Sequence, residues 1–313
     1  MSLAVQLDLY MSVRRSLGYD LRTDERVLRR FARFADQAGA PHINTALFLR
    51  WDASLPAAGT STRSARLGKV RLFAQWLSSI DPAHEAPPRG LLPDRSGRKR
   101  PFIYSEAEIA QIVTEARELP SIYGMRGLTC STFFGLIAAT GLRISEALAL
   151  DPEDLDTATG VLCVRRGKLG RERLLPLDPT VVDRLIAYGA ERDRLLGYTP
   201  SALFVRGEGS RLTEWSARYD FAVVSQRIGL RERPRYHRHG RGPRIHDLRH
   251  TFAVRTMINW YRAGKDPTRE MIRLTTWLGH TKPESTFWYI EAVPELLELA
   301  MERATRLNGE AGQ

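Results

Sequence analysis

Long apolar runs and cysteines are both scarce in this sequence. No apolar segment approaches the roughly 20 residues of a membrane-spanning helix, and no signal-peptide pattern opens the chain. The two cysteines, Cys130 and Cys163, lie far apart in apolar surroundings, so we interpret both as buried thiols. These absences exclude a cysteine-based metal framework and predict a protein that stays in the cytoplasm.

Lysine is also scarce, and this affects the interpretation of the charge. Lysine and arginine together number 47, yet five of them are lysine, so arginine is the default cation. The net charge of +11 and the pI near 10.0 favour a polyanionic partner, nucleic acid before membrane. A lysine within a motif therefore needs a chemical reason. The five lysines are Lys69, Lys99, Lys168, Lys265 and Lys282.

Hydrophobic periodicity predicts two domains, for which 313 residues are sufficient. Residues 2–38, 45–51 and 63–80 carry helical apolar stripes, which predicts a small all-helical domain over residues 1–82. We expect Thr45 to cap the third of its helices. Residues 83–101 are rich in proline, glycine and charge and lack periodicity, so we interpret them as a basic linker that can wrap a duplex. A second domain then covers residues 102–313.

The second domain is predicted to be helical around one β-hairpin. A capping box at Ser105 and Glu108 opens its first helix, and residues 128–139 form an apolar helix that ends at Gly141. Residues 161–164 and 173–177 alternate like strands around a glycine-bearing turn that holds Lys168. Further helices are predicted over residues 179–194, 213–229, 268–277 and 294–307. The predicted fold class is mainly α with a small antiparallel β-sheet.

Three groups of basic residues are predicted to contact DNA phosphates. The first lies on one face of the fourth helix, where simple solvation is the commoner explanation. The second lies in the linker, and the third in a stretch that has eight arginines from Arg227 to Arg249, both included. The residues are Arg63, Arg66, Lys69 and Arg71, then Arg98, Lys99 and Arg100, and finally Arg241 and Arg244.

The second domain is organised around the stretch from His246 to His250. If a helix begins near His246, then His246, Arg249 and His250 project together from its first turn, where backbone N–H groups favour an anion such as phosphate. Two alternatives stay open here. One is an ordinary polar first turn, and the other is zinc, because the two histidines have the spacing of a metalloprotease helix. Against zinc, Asp247 stands where such a motif needs Glu, and Arg249 repels a dication.

Four other residues stand out, and for three of them an ordinary explanation stands beside the functional one. Arg143 follows the helix stop, and Glu146 comes three residues later to orient it, but the two also fit a simple helix N-terminal ion pair. His280 follows a second glycine stop. Tyr289 comes nine residues later and, taken alone, fits a core aromatic.

In this order, the motifs resemble the signature of the tyrosine recombinase (phage integrase) family. They are Arg143 in Thr-Gly-Leu-Arg-Ile-Ser-Glu, Lys168 in a hairpin, His246-Asp247-Leu248-Arg249-His250, Leu278-Gly279-His280 and a downstream tyrosine. The resemblance covers nearly the whole chain. It implies a helical, SAM-like core-binding domain that clamps DNA, followed by the α+β catalytic domain of that family. Two features depart from the pattern: residues 253–277 are longer than expected, and Trp288 precedes the tyrosine.

The resemblance also implies the chemistry. Tyr289 attacks a phosphodiester to give a 3′-phosphotyrosine, and Lys168 protonates the leaving 5′ oxygen. Two arginines hold the non-bridging oxygens bidentately, and two histidines assist with proton handling. The covalent intermediate keeps the bond energy, so neither ATP nor a metal cofactor is expected. The implied catalytic set is Arg143, Lys168, His246, Arg249, His280 and Tyr289, with Glu146 and His250 in support.

The function predicted from these residues is site-specific DNA recombination or integration. The implied partners are double-stranded DNA, other copies of the chain in a tetramer on synapsed sites, and accessory DNA-bending or partner recombinase proteins. Trp288-Tyr289 and the tail after Pro294 resemble transposase-type recombinases of mobile elements. A type IB topoisomerase or telomere resolvase would use the same chemistry. A non-catalytic DNA-binding regulator and a zinc hydrolase are the alternatives from other classes.

Overall fold

In the computed structural model the described residues are 2–19, 21–93, 100–165, 172–232, 242–280, 286–289 and 293–310. The chain divides into two compact units, Met1–Lys99 and Arg100–Gln313. Most elements are helices, and a three-stranded antiparallel sheet lies in the second unit, which confirms the predicted fold class. Among the residues just given, no helix is both long and apolar enough to cross a bilayer.

The first unit is built from helices whose apolar stripes meet in one core. The helices described in it are α1 (Leu3–Ser16), α2 (Arg22–Gln37), α3 (Thr45–Ala53) and α4 (Thr60–Ser78). The buried rings of Phe31 and Trp51 meet edge-on in this core, with centroids 5.2 Å apart. The cap predicted at Thr45 is wrong by one residue, because the Asn44 side chain accepts the hydrogen bond from Leu47 N at 2.8 Å.

The residues that follow α4 pack against the first unit. His84 and Leu92 are buried, and Glu85 N donates a hydrogen bond to Ile43 O at 2.7 Å, which ties this segment to the start of α3. Composition alone assigned these residues to a linker beginning at residue 83. In the structure the apolar contacts of the helical unit continue to Leu92, and residues 94–99 lie outside the described residues.

The second unit begins with the capping box that the sequence predicted: Glu108 N donates to Ser105 Oγ at 3.1 Å, and Ser105 N donates to Glu108 Oε2 at 2.7 Å. Its described helices are α5 (Glu106–Arg117), α6 (Met125–Thr140), α7 (Ile144–Leu148), α8 (Pro179–Leu196), α9 (Glu214–Arg227), α10 (Ile245–Arg262), α11 (Pro267–Leu278) and α12 (Pro294–Glu310). Residues 286–289 form one further helical turn.

The sheet has the order β1-β2-β3, with β1 (Leu155–Asp156), β2 (Val161–Val164) and β3 (Arg173–Pro176). Leu162 pairs with Leu175 in the β2–β3 hairpin, and both are buried. The two-residue strand β1 was not predicted, because so short a strand leaves no alternating pattern in the sequence. Lys168 lies outside the described residues, so its predicted position at the hairpin tip stays a prediction.

Helix α6 is buried on nearly all sides and ends at Gly141, whose φ of 66° is the left-handed conformation expected of a helix stop. A Cβ atom at this glycine would lie 2.5 Å from the ring of Phe252 on α10. Only glycine therefore allows α10 to approach the end of α6 this closely. Cys130 of α6 is buried as predicted, whereas Cys163 of β2 is only partly buried, so that interpretation was wrong.

Helix α10 lies between two parts of the core of the second unit. Ile245 and Leu248 belong to the main cluster around α6, whereas Met257 packs in a second cluster with Tyr289 and Leu296. Leu296 is fully buried, so in a single chain the start of α12 packs on α10. This arrangement brings the first turn of α10, the end of α6 and the end of α11 to one place.

Candidate active site

Arg249 is the fifth residue of α10, and its side chain is 2% exposed. Its Nη1 donates to Gly141 O at 2.6 Å and its Nη2 donates to Leu278 O at 2.6 Å. The first acceptor is the glycine that ends α6, and the second is the last residue of α11. Arg249 therefore joins two helix C-terminal ends, whose free carbonyls attract cations.

Arg143 stands immediately before α7 and bonds in two directions. Its backbone N and its Nη1 donate to the Glu146 carboxylate at 2.9 and 2.7 Å, and its Nη2 donates to Gly279 O at 2.9 Å. The Glu146 side chain is 1% exposed. The predicted orientation of Arg143 by Glu146 is therefore present in the structure, and it forms part of a larger network.

A third arginine completes this network, and the sequence reasoning missed it. Arg173 opens β3 and donates from Nη1 and Nη2 to the two Glu146 oxygens at 3.1 and 2.7 Å, and from Nε to Trp277 O at 2.8 Å. One signal could have found it. Residues 173 and 175 share a face of the strand, and buried Leu175 shows that this face points inward.

The electrostatics of this cluster favour an anion. Burial alone would raise the pKa of Glu146, but hydrogen bonds and charge from Arg173 and Arg143 hold it below the usual range. Burial and the nearby charge of Arg143 lower the pKa of Arg249 to about 9, so it remains a cation at neutral pH. Three guanidiniums thus share one carboxylate in a largely buried place. A phosphodiester can supply the missing negative charge.

His250 and Tyr289 meet beside the arginines. His250 Nδ1 lies 2.8 Å from Tyr289 Oη, and Tyr289 is 2% exposed. The ring of His246 meets that of His250 edge-on, with centroids 4.6 Å apart. Burial and the Arg249 charge lower the pKa of His246 to about 4, and burial and His246 lower that of His250 to about 3. Both imidazoles are therefore neutral at pH 7, as a proton acceptor must be.

His280 follows the turn at the end of α11. Gly279 makes that turn with a φ of 61°, and His280 Nδ1 lies 2.8 Å from Thr286 Oγ1. Thr286 is buried and also accepts a hydrogen bond from Thr275 Oγ1 at 3.1 Å, which links His280 to the helical turn that ends at Tyr289. The structure thus brings together all members of the predicted catalytic set except Lys168, which lies outside the described residues.

The basic residues predicted to contact DNA phosphates differ in their surroundings. Arg63 and Arg66 both bind the buried Asp52 carboxylate, Lys69 pairs with Asp24, and the Arg71 guanidinium donates to Pro87 O. Each thus has a partner within the first unit, so contact with DNA would require it to share or leave that partner. Arg244 is 58% exposed beside Asp247, and Arg100 is exposed. Arg98, Lys99 and Arg241 lie outside the described residues.

His42, Asp81 and His84 form a group close enough to hold a metal ion, in the first unit. His84 Nδ1 accepts a hydrogen bond from Ile43 N at 3.1 Å, so the neutral ring carries its proton on Nε2. Neither ring nitrogen of His84 then offers a free lone pair. We therefore interpret the group as a structural contact that joins the segment before α3 to the segment after α4. Among the residues that the structure describes, His246 and His250 do not belong to any group of three metal-ligating side chains.

The chain is similar to known proteins along nearly all its length. The family model described as the phage integrase family matches residues 104–295. A protein of Sinorhizobium fredii described as integrase/recombinase y4rB is 38% identical over 302 residues, which cover 95% of each chain.

Two solved structures share the fold. The XerH recombinase bound to palindromic difH substrate has a TM-score of 0.65 at 17% identity, covering 90% of this chain and 78% of that one. The Tn1549 transposon integrase in complex with transposon right-end DNA has a TM-score of 0.64 at 17% identity, covering 97% of this chain and 100% of that one.

Proposed function

This chain belongs to the phage integrase family of tyrosine recombinases, and on that premise we propose that Tyr289 is the nucleophile with which it cuts and rejoins DNA at specific sites. The chain is a DNA strand-exchange enzyme. One observation carries the assignment of the nucleophile: the Tyr289 hydroxyl lies 2.8 Å from His250, which follows Arg249 in α10. A buried tyrosine beside an arginine cluster has the anion site that attack on a phosphodiester requires.

In the proposed step the Tyr289 oxygen forms a bond to phosphorus and the bond from phosphorus to the 5′ oxygen breaks. Arg143 and Arg249 hold the non-bridging oxygens as charge accumulates on them. The phenolic proton leaves towards the neutral imidazoles, with His250 supporting the tyrosine directly. Lys168 supplies a proton to the leaving 5′ oxygen. The product is a 3′-phosphotyrosine and a free 5′ hydroxyl, and the reverse attack rejoins the strand.

We also propose that His246 and His280 donate hydrogen bonds to the bound phosphate. The ring of His246 lies against that of His250, and Gly279, which precedes His280, offers its carbonyl to Arg143 at 2.9 Å. Both positions support contact with the same phosphate. Neither histidine needs to be charged for this, because a neutral imidazole still has one N–H donor.

The proposed partner is double-stranded DNA, bound by basic residues of both units. The solved relatives named above were captured on DNA substrates, and the +11 charge of this chain favours the same class of ligand.

Exchange between two duplexes requires four strand cuts, and each chain supplies one tyrosine. We therefore propose a tetramer on synapsed sites, assisted by accessory DNA-bending or partner recombinase proteins, at the nucleoid. The relatives named above do not favour the topoisomerase, resolvase or regulator alternatives.

The transposase-type branch is the finer proposal. The Trp288–Tyr289 pair has its rings 5.4 Å apart, and α12 follows directly, as in the sequence pattern that suggested mobile-element recombinases. The similarity to the Tn1549 transposon integrase covers 97% of this chain, which also supports the transposase-type branch. Inverted repeats recognised by this protein at the ends of its host element would distinguish it from a housekeeping recombinase.

The test is to trap the covalent intermediate. A nicked suicide duplex, taken from DNA selected by binding to the full chain, should give an SDS-resistant adduct whose DNA-bearing peptide contains Tyr289. Tyr289→Phe should bind the same duplex and give no adduct, whereas Tyr261→Phe, which changes another tyrosine of the same unit, should react like wild type. An adduct on a different residue, or one that persists in Tyr289→Phe, would overturn the proposal.

A further inference from the structure

Three arginines from three separate elements hold the end of α11. The last two residues of this helix and Gly279 after it offer consecutive carbonyls, and each carbonyl accepts a hydrogen bond from a different arginine. The pairs are Trp277 O with Arg173 Nε (2.8 Å), Leu278 O with Arg249 Nη2 (2.6 Å) and Gly279 O with Arg143 Nη2 (2.9 Å). Helix C-terminal carbonyls lack partners within the helix and carry partial negative charge, so cations stabilise them.

Arg173 differs from the other two in where its nitrogens are used. Nη1 and Nη2 form a fork on the two Glu146 oxygens, and Nε binds Trp277 O. All three nitrogens are thus engaged inside the protein, and the side chain is 11% exposed. Glu146 in turn binds Arg143 through both the backbone and the side chain. Arg173 therefore reaches Arg143 through one carboxylate without itself facing the place where phosphate would bind.

We propose that Arg173 is a positioning residue, an inference that rests on the proposed function. It holds Glu146, and hence the guanidinium of Arg143, at a fixed distance from the end of α11 and from His280 beyond it. Arg173 itself lies in β3, where it pairs with Val164 of β2. One side chain thus fixes the relative placement of Arg143, strand β3 and the turn that leads to His280.

The role requires arginine. A planar guanidinium can bind a carboxylate with two parallel N–H groups and keep Nε for a carbonyl, whereas an ammonium is a point charge that satisfies only part of this set. The fit is close as well: a Cβ atom on Gly279 would lie 3.0 Å from Arg173 Nη1. The guanidinium therefore fills the space beside the turn that leads to His280.

The test measures single-turnover cleavage of the nicked duplex by Arg173→Ala and Arg173→Lys. Misplacement of catalytic groups by about 1 Å commonly costs about 100-fold in rate, so we expect a loss of that order in the alanine variant and a smaller one in the lysine variant. Affinity for DNA should stay within about twofold of wild type, because the surface charge that sets phosphate contacts is unchanged. A variant that is merely destabilised loses amplitude, since its folded fraction reacts at the wild-type rate constant.

Arg192→Ala is the matched control. Arg192 is even more deeply buried, with its side chain 2% exposed, and it also binds backbone carbonyls and a carboxylate, at Leu203 O (2.8 Å) and Asp193 (2.7 Å). It lies outside the arginine cluster. It should lower the melting temperature and leave the cleavage rate constant unchanged. If Arg173→Ala does not fold, the lysine variant carries the comparison.

A double-mutant cycle tests whether Arg173 acts through Glu146. Arg173→Ala combined with Glu146→Gln should be no slower than the slower single variant, because both remove the same support. Multiplying effects, or a wild-type rate constant in Arg173→Ala, would overturn the inference while leaving Tyr289 as nucleophile. A wild-type chain that forms no adduct would overturn the proposed function and this inference with it.

Discussion

His250 Nδ1 and Tyr289 Oη lie 2.8 Å apart, although 39 residues separate them in the chain. The hydrogen bond holds the tyrosine hydroxyl beside the arginine cluster and leaves it almost completely buried. Such a contact orients the hydroxyl that we propose as the nucleophile. Burial lowers the pKa of His250 and keeps the ring neutral, which makes the site sensitive to acid.

The first prediction concerns pH. Burial lowers the pKa of His246 to about 4 and that of His250 to about 3, whereas an unfolded histidine titrates near 6.5. Below pH 6.5 the two histidines bind protons in the unfolded chain but not in the folded one. The free energy of unfolding should therefore fall as the pH drops towards 4. At pH 5 each histidine should have lowered the free energy of unfolding by about 1–2 kcal/mol relative to neutral pH.

Urea unfolding of the full chain between pH 7.5 and 5 measures this loss. The variant His250→Phe should show a shallower decline than wild type, because it removes one of the two titrating rings. Equal slopes in the two proteins would show that His250 is not the group that resists protonation.

The second prediction concerns Lys168 as the general acid. Replacing the bridging 5′ oxygen by sulfur gives a leaving group that needs no proton. On that substrate Lys168→Ala should cleave nearly as fast as wild type, whereas on ordinary DNA it should lose about 100 to 10,000-fold. Arg143→Ala should stay slow on both substrates, because its proposed role is to hold charge. Equal rescue of both variants by sulfur would assign the proton donor elsewhere, with His246 the next candidate.

The third prediction concerns the tail helix. In a single chain α12 buries Leu296 against α10 but leaves Leu297 48% and Met301 63% exposed. An apolar stripe left uncovered favours a partner surface, here a neighbouring subunit on DNA. Replacing Leu297 and Met301 together by Glu should leave binding to a single site intact and abolish synapsis, as seen by gel shift and sedimentation.

The control for this experiment is Ile122→Glu, which changes a side chain that is 95% exposed elsewhere in the second unit. It should recombine like wild type. Deletion of residues 294–313 should also abolish synapsis, although it removes Leu296 from the core as well. If the Leu297 and Met301 variant still joins two sites, α12 serves its own chain alone.

The fourth prediction separates backbone strain from contact at the α11 turn. Gly279 and Gly264 have φ values of 61° and 66°, but a Cβ atom would meet Arg173 at the first and nothing within 4 Å at the second. Each change to Ala should cost about 1–2 kcal/mol from the left-handed backbone. Only Gly279→Ala should also slow cleavage, by about 10-fold or more, because Arg173 and Arg143 must shift. Equal rates in the two variants would contradict this.

Much of the site could be predicted from the sequence because its parts are local. The spacing of His246, Arg249 and His250 on a helix, and the glycine stops before Arg143 and His280, are properties of a few consecutive residues. The hydrogen bond between His250 and Tyr289 could not be predicted in this way. It depends on how α10 packs against the turn over residues 286–289, and nothing in either segment alone encodes that packing.

Arg173 was missed for a related reason. Its one sequence signal is that it shares a strand face with Leu175, and its importance depends on a carboxylate and a carbonyl from two distant segments. Part of the predicted linker shows the limit of composition: its proline and glycine suggest an open chain, whereas Leu92 is buried in the core of the first unit and His84 is buried beside Ile43. Composition reports local preference, whereas burial is decided by the partner surface.

The capping of α11 by arginines has a consequence for inactive copies of such genes. A chain that loses Arg143, Arg173 or Arg249 leaves one carbonyl at the end of α11 without its hydrogen bond, in addition to losing activity. Its folded state should therefore be less stable, and the chain should be degraded faster in the cell. A chain that loses only the Tyr289 hydroxyl keeps every one of those bonds and gives up one hydrogen bond to His250. Decayed copies that persist as DNA-binding competitors of active enzymes should therefore be those in which the tyrosine was replaced first.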